Sequence, residues 1–176
     1  MDLPDPVADA MLAQRRVMIS GVLDDATVAT AVAQLMMLDG QSDEPLSVLV
    51  NADGPDLGTG LPLLDTLRLL RAPATIDVIG RANGAAAVAV AGSTGERRIG
   101  AAASMSLRLE PPRSSAGTAG DLAAAVDAEQ QRRTSAANLI AQRTGQAVEW
   151  VIDEFESGGF HAAGALVELG LVDSVR

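Results

Sequence analysis

The sequence predicts an α/β fold built on a mainly parallel sheet, because short β-rich runs alternate with helical ones along most of the chain. Two compositional facts agree. The 176 residues are 48% hydrophobic, enough for one substantial core and too few for two ordinary domains, so a single domain over residues 1–176 is expected. With two phenylalanines, one tryptophan and no tyrosine, that core must be filled by Leu, Val, Ile, Met and Ala, which suits helices packed closely on a sheet.

Residues 1–14 form a short acidic lead with prolines at Pro4 and Pro6. Arg16-Val-Met-Ile-Ser-Gly reads as a first strand, and Asp24 or Asp25 can cap a helix from Ala26 to Leu38 whose apolar residues recur at helical spacing. Leu46-Ser-Val-Leu-Val-Asn is a second strand, followed by a loop over Ala52-Asp-Gly-Pro-Asp and a helix through Leu70. Thr75-Ile-Asp-Val-Ile-Gly is a third strand, expected to end at Gly80. A small-residue helix from Ala85 to Ala91 comes next, then a strand at Arg97-Arg-Ile-Gly, another near Ser104 to Leu109, and a breaker at Pro111-Pro112. The stretch from Pro111 to Gly120 reads as a loop. The run from Asp121 to Arg143 is helical but has few large apolar residues (Leu122, Val126, Leu139, Ile140), so most of it must meet solvent or another subunit. Thr144-Gly145 ends it, a short helix carries Trp150, and Gly158-Gly159 precedes the closing Gly-Leu-Val-Asp-Ser-Val.

Charge and absences exclude several functions. A formal charge of −10 opposes general binding to nucleic acid or an anionic membrane. Without cysteine there is no disulfide, thiolate nucleophile or cysteine metal cluster. All thirteen basic residues are arginine, so phosphate-loop lysine, Schiff-base and serine–lysine chemistry are also out. His161 is the single imidazole. No basic residue precedes Arg15, the reverse of a secretory leader, and the apolar run Gly84 to Gly92 is about half the length needed to span a bilayer. A soluble cytoplasmic protein without cofactor or metal is expected.

Several residue groups have a sharp reading and a bland one. His161, beside Phe160, can be imagined as a displaced general base, but a structural or surface histidine is the expectation. Ser104 and Ser106 lie on a strand and are expected to pack or to meet solvent, not to react. Asp153, Glu154 and Glu156 suggest a metal only if a second cluster exists; otherwise they are a solvated helix face. Arg97-Arg98 and Arg132-Arg133 are too few to bind nucleic acid and are expected to form interface ion pairs. The Gly84 to Gly92 stretch suits a close helix approach better than a phosphate-cradling turn.

Over nearly its whole length the chain resembles ClpP, the proteolytic subunit of the Clp protease. The resemblance rests on Arg15-Arg16-Val-Met-Ile-Ser-Gly with Asp24-Asp25 and Ala33-Gln34-Leu-Met-Met-Leu; on Val50-Asn51 with Gly54, Gly60 and Asp65-Thr66; and on Gly80-x-Ala82, Thr144-Gly145-Gln146 and Gly170-Leu-Val-Asp173. It implies a ClpP/crotonase-type spiral of ββα units with a protruding handle, region 111–143, through which two seven-membered rings stack. It also implies a serine peptidase, whose chemistry needs a hydroxyl, an imidazole and a carboxylate in a hydrogen-bonded chain.

By position none of the three is present. Counting forward from Gly80 puts the nucleophile's place at Gly84, and counting backward from Gly92-Ser-Thr-Gly95 puts it at Asn83. The histidine's place, two residues before Pro111, is Leu109. The aspartate's place, counted from Thr144-Gly-Gln, is Gly158, with Asp153 and Glu154 a turn or more away. The oxyanion loop reads Ala52-Asp53-Gly54-Pro55, and Pro55 has no N–H to donate; one such donor is worth about 2.7–4 kcal/mol in the transition state.

Partner surfaces differ as well. Where the family carries ATPase-docking tyrosines, this chain has Ser47 and Leu49, and the charged stretch that ties ring to ring is replaced by Ser157-Gly158-Gly159. The expectation is a degenerate, ClpR-type subunit in rings of its own or mixed with an active paralogue, docking Clp ATPases weakly or not at all. The alternatives are an active endopeptidase with a rearranged site and a crotonase-like acyl-CoA enzyme, the latter opposed by Pro55 and the lack of lysine.

Overall fold

The computed structural model describes residues 6–110 and 118–176. In chain order the elements are α1 (Pro6–Ala13), β1 (Arg16–Val22), α2 (Asp25–Gln41), β2 (Leu46–Gly54), α3 (Leu57–Leu69), β3 (Ala74–Gly84), α4 (Ala85–Gly92), β4 (Glu96–Ile99), β5 (Ser104–Ser106), α5 (Ala119–Thr144), α6 (Val148–Ser157), β6 (His161–Ala162), α7 (Ala163–Glu168) and β7 (Ser174–Val175). This is a mixed α/β fold with mostly parallel strands.

Strands β1, β2, β3, β4 and β7 lie side by side in that order, each pair parallel. Alternate residues of β2, namely Leu46, Val48, Val50 and Ala52, turn into the core. That buried row packs against α2, α3 and α4, with the second half of α5 laid over α4. Every residue of α4 is buried, and its alanine and glycine side lets α3 approach closely, as the small-residue run required. Asp24 caps α2 by accepting from the Thr27 amide.

The structure corrects several boundaries. Within the short acidic lead, Pro6 opens helix α1, where its fixed φ and missing N–H are tolerated at a first helical position. The Ala52 loop begins later than expected, since β2 runs on to Gly54. The third strand does not end at Gly80. Its register against β2 slips between Val50↔Val78 and Ala52↔Ala82, and Gly80 takes φ +83° within the extra length, so the chain bends and continues to Gly84. The bend splits the strand between two neighbours, β4 before it and β5 after it. Strand β5 covers only Ser104–Ser106, not the run to Leu109.

Helix α5 begins two residues earlier than Asp121, where Thr118 and Asp121 form a reciprocal capping box. Its polar composition has two outcomes along its length. Ala136, Ala137, Ile140 and Ala141 pack on the core, while residues 118–127 stay exposed. The breaker Pro111-Pro112 and the loop from it lie outside the described residues.

Candidate functional site

The site lies where β2 and β3 end together. The ladder pairs Asp53 with Asn83 and Gly54 with Gly84, and Gly84 then starts α4 as its N-cap. Gly84 has φ +56° and ψ −128°, a conformation open to glycine and strained for any residue with a side chain. A Cβ there would run into the Gly54 carbonyl oxygen. A substituted residue would thus need both a strained backbone and a displaced neighbour.

Beside this junction, Asp53 is held by two partners. The Arg81 guanidinium bridges it at 2.6 Å, and Asn83 Nδ2 donates to Oδ1 at 2.7 Å. The Arg81 hydrogen bonds, reinforced by Asn83, hold the Asp53 carboxyl below the usual carboxylate range despite partial burial. Asn83 Oδ1, turned away from Asp53, is buried with no hydrogen-bond partner.

Leu109 and Gly158 come from distant parts of the chain to the same neighbourhood. The Leu109 amide donates to the Phe155 carbonyl at 2.9 Å, which ties the segment after β5 to α6 and buries the leucine side chain. Gly158 caps α6, its amide donating to the Glu154 carbonyl at 3.1 Å. A Cβ at Gly158 would crowd both that carbonyl and the Glu154 carboxylate. Leu109 and Gly158 line a cavity of about 710 Å³, and Gly84, Gly54 and Pro55 line an adjoining one of about 350 Å³. The two share Asn83, Arg108 and Glu110. None of Gly84, Leu109 and Gly158 offers a nucleophile, a base or an acid, and Pro55 offers no amide.

The remaining hydroxyl and imidazole groups do not combine. His161 Nε2 meets Glu154 Oε2 at 2.8 Å, a link between β6 and α6. Strand β6 pairs antiparallel with β5, with His161 opposite Met105, so the imidazole shares the Met105 face. Ser104 and Ser106 occupy the other face. Ser106 is buried, and its Oγ accepts from the Arg108 amide at 3.3 Å. Among the described residues no group of three or more His, Asp or Glu side chains is placed to hold a metal, Asp153, Glu154 and Glu156 included, and no helix is long and apolar enough to cross a membrane.

The arginine pairs Arg97-Arg98 and Arg132-Arg133 form ion pairs within this chain. Buried Arg97 pairs with Asp173 at 2.7 Å, and Arg98 pairs with Asp77 at 2.8 Å. Arg132 and Arg133 both clamp Glu129 one turn back, and Arg133 also donates to the Glu110 carbonyl. Burial explains the pairing: Asp77 and Arg97, each closed over by the fold, need a counter-charge within the chain. The Asp53–Arg81–Asn83 group was not foreseen from the sequence, because only the β2–β3 register brings its members together.

On the opposite face of the sheet, Ser47 and Leu49 are half-buried. Leu49 lies between Met18 and Asp77, and Ser47 between Arg16 and Thr75.

A family model described as Clp protease matches residues 5–176. The chain is also similar to the ATP-dependent Clp protease proteolytic subunit 3 of Rhodococcus jostii (strain RHA1), 26% identical over 172 residues that cover 97% of this chain and 85% of that protein.

Proposed function

The chain belongs to the Clp protease family, and from that premise we propose that it is a catalytically degenerate subunit whose role in a Clp protease-type oligomer is structural or regulatory. Proteins of this family form oligomeric rings. In this reading the chain occupies ring positions in the cytoplasm, alone or mixed with an active paralogue in the manner of ClpR-type subunits. It changes the composition of the chamber without cleaving peptide bonds.

The observation that carries the reading is the β3–α4 junction. Gly84 has no side chain, and the Gly54 carbonyl stands where the Cβ of a nucleophile would be. Leu109 and Gly158, in the places that the family resemblance gives to base and orienting acid, can neither accept a proton nor hold an imidazole. Proline at position 55 removes an oxyanion donor independently.

One observation favours the rival reading of a rearranged serine peptidase: the His161–Glu154 pair at 2.8 Å has the form of an oriented base. Ser104 and Ser106 face away from it. Treatment with a fluorophosphonate, followed by mass spectrometry and a fluorogenic peptide assay, decides between the two. The expected result is no labelled serine and no turnover. Stoichiometric labelling of Ser104 or Ser106 would overturn the proposal. Co-expression with an active ClpP, read by the mass and composition of the assembly, tests the ring role.

A further inference from the structure

Arg108 and Arg133 line the larger cavity, Arg108 lines the smaller one as well, and Arg81 reaches the wall of the smaller one through Asp53; Arg81 and Arg133 are engaged. Arg81 is bound to Asp53, and Arg133 to Glu129 and the Glu110 carbonyl. Among the described residues the guanidinium of Arg108 donates to no partner, although the side chain borders both cavities. Close by, Phe160 is 74% exposed at the rim of the larger cavity, an aromatic surface left in water. Leu109 lies in the wall, and at Gly159 nothing stands within 4 Å of where a Cβ would be, so the backbone there is open to approach.

A cavity of about 710 Å³ is large enough for several residues of an extended chain. A guanidinium without a partner among the described residues is suited to a carboxylate, with which it forms two charge-assisted hydrogen bonds. Glu110 and Glu156, also on the lining, disfavour further negative charge on the same ligand. We propose that this cleft is a receptor for the C-terminal end of a peptide, its terminal carboxylate held by Arg108 and its last side chain, apolar, seated between Leu109 and Phe160. The proposal rests on the reading that the cleft does not cleave what it holds.

The test uses the full-length assembly and two N-terminally fluorescein-labelled probes, Ala-Ala-Ala-Leu with a free carboxylate and the same peptide as its C-terminal amide, followed by fluorescence anisotropy. The acid is expected to bind about tenfold or more tighter than the amide, the size expected of a charge-assisted pair. R108Q should bring the acid down to the amide's affinity and leave the amide unchanged, and F160S should weaken both. Arg108 and Phe160 are exposed, so neither variant threatens folding; circular dichroism checks this. Equal binding of acid and amide, an acid preference that survives R108Q, or no saturable binding of the acid at millimolar protein would each overturn the inference. Mass spectrometry of the recovered probes separates the two readings. A cleaved probe counts against the proposed function, whereas an intact probe without acid preference counts against the carboxylate receptor alone.

Discussion

Arg97 is 1% exposed, and its charge is tolerable only because Asp173 accepts from its backbone amide and from two guanidinium nitrogens, while Arg143 supplies a second cation from α5. Burial pushes the Asp173 carboxyl up, but the bonds from Arg97 and the nearby Arg143 charge outweigh it and leave the group below its ordinary value of 3.8. A carboxyl depressed in the folded state contributes stability that is present above its unfolded value and is lost as pH falls through the folded one. Stability should therefore decline below about pH 4, and D173N should flatten that decline. The same variant should cost about 2–3 kcal/mol at neutral pH, measured by urea unfolding, because it leaves a buried guanidinium without its counter-charge. At Gly84 a different constraint applies. G84S should destabilise the fold by about 1–3 kcal/mol, since serine would meet both a positive φ and the Gly54 carbonyl, and the variant should still take up no fluorophosphonate. A stable G84S protein that is labelled at the substituted position would contradict the geometry described above.

Helix α5 is two structures in one rod. Its second half is ordinary core, with Ile140 and Ala137 fully buried, and its first half carries Leu122 and Val126 into solvent four residues apart on one face. Where the halves meet, Glu129 is pinned by Arg132 and Arg133, which stiffens the helix where it leaves the body of the protein. Substitutions in the halves should be read by different instruments. I140A should lower unfolding stability by about 2–4 kcal/mol through the cavity it leaves. V126D should leave the unfolding midpoint within about 0.5 kcal/mol of the parent, as a surface change does, and lower the mass of the assembly in sedimentation velocity if the exposed half meets a neighbouring subunit. Unchanged mass in the V126D protein would place the subunit contact elsewhere.

The two faces of the sheet serve different ends. One is covered by α2, α3 and α4, and the other presents Met18, Ser47 and Leu49, where the family resemblance puts the aromatic anchors for the loops of an ATPase. A buried aromatic hot spot is worth on the order of 2 kcal/mol, and serine at 47 supplies neither its area nor its shape. A Clp ATPase should therefore fail to co-sediment with rings of this chain alone, whereas the double variant S47Y/L49Y should bind it measurably. Tight binding to the unmodified protein would show that docking uses another surface. It would also make the assembly a competitor of the active protease, since it would hold an unfoldase while cleaving nothing.

Much of this protein is determined by residue type and spacing. The alternation of β-rich and helical runs, the small-residue helix α4 and the Asp24 cap follow from local periodicity and local hydrogen bonding, which a linear reading can register. Absences of cysteine and lysine are equally legible, and the family resemblance adds the positions counted along the chain, Gly84 or Asn83, Leu109 and Gly158. Other features depended on the closed fold. Helix α1 is not legible in the sequence because Pro6 looks like a breaker at the position where it opens the helix, and the full length of β3 is not legible because a glycine that bends a strand looks like one that ends it. Arg97 finds its partner 76 residues away, Arg98 finds Asp77 on the adjacent strand, and the Gly54 carbonyl meets Gly84 only through the β2–β3 register. Backbone preference acts over a few residues, whereas charge pairing and steric closure depend on which distant segments the sheet and its helices bring within a few ångströms.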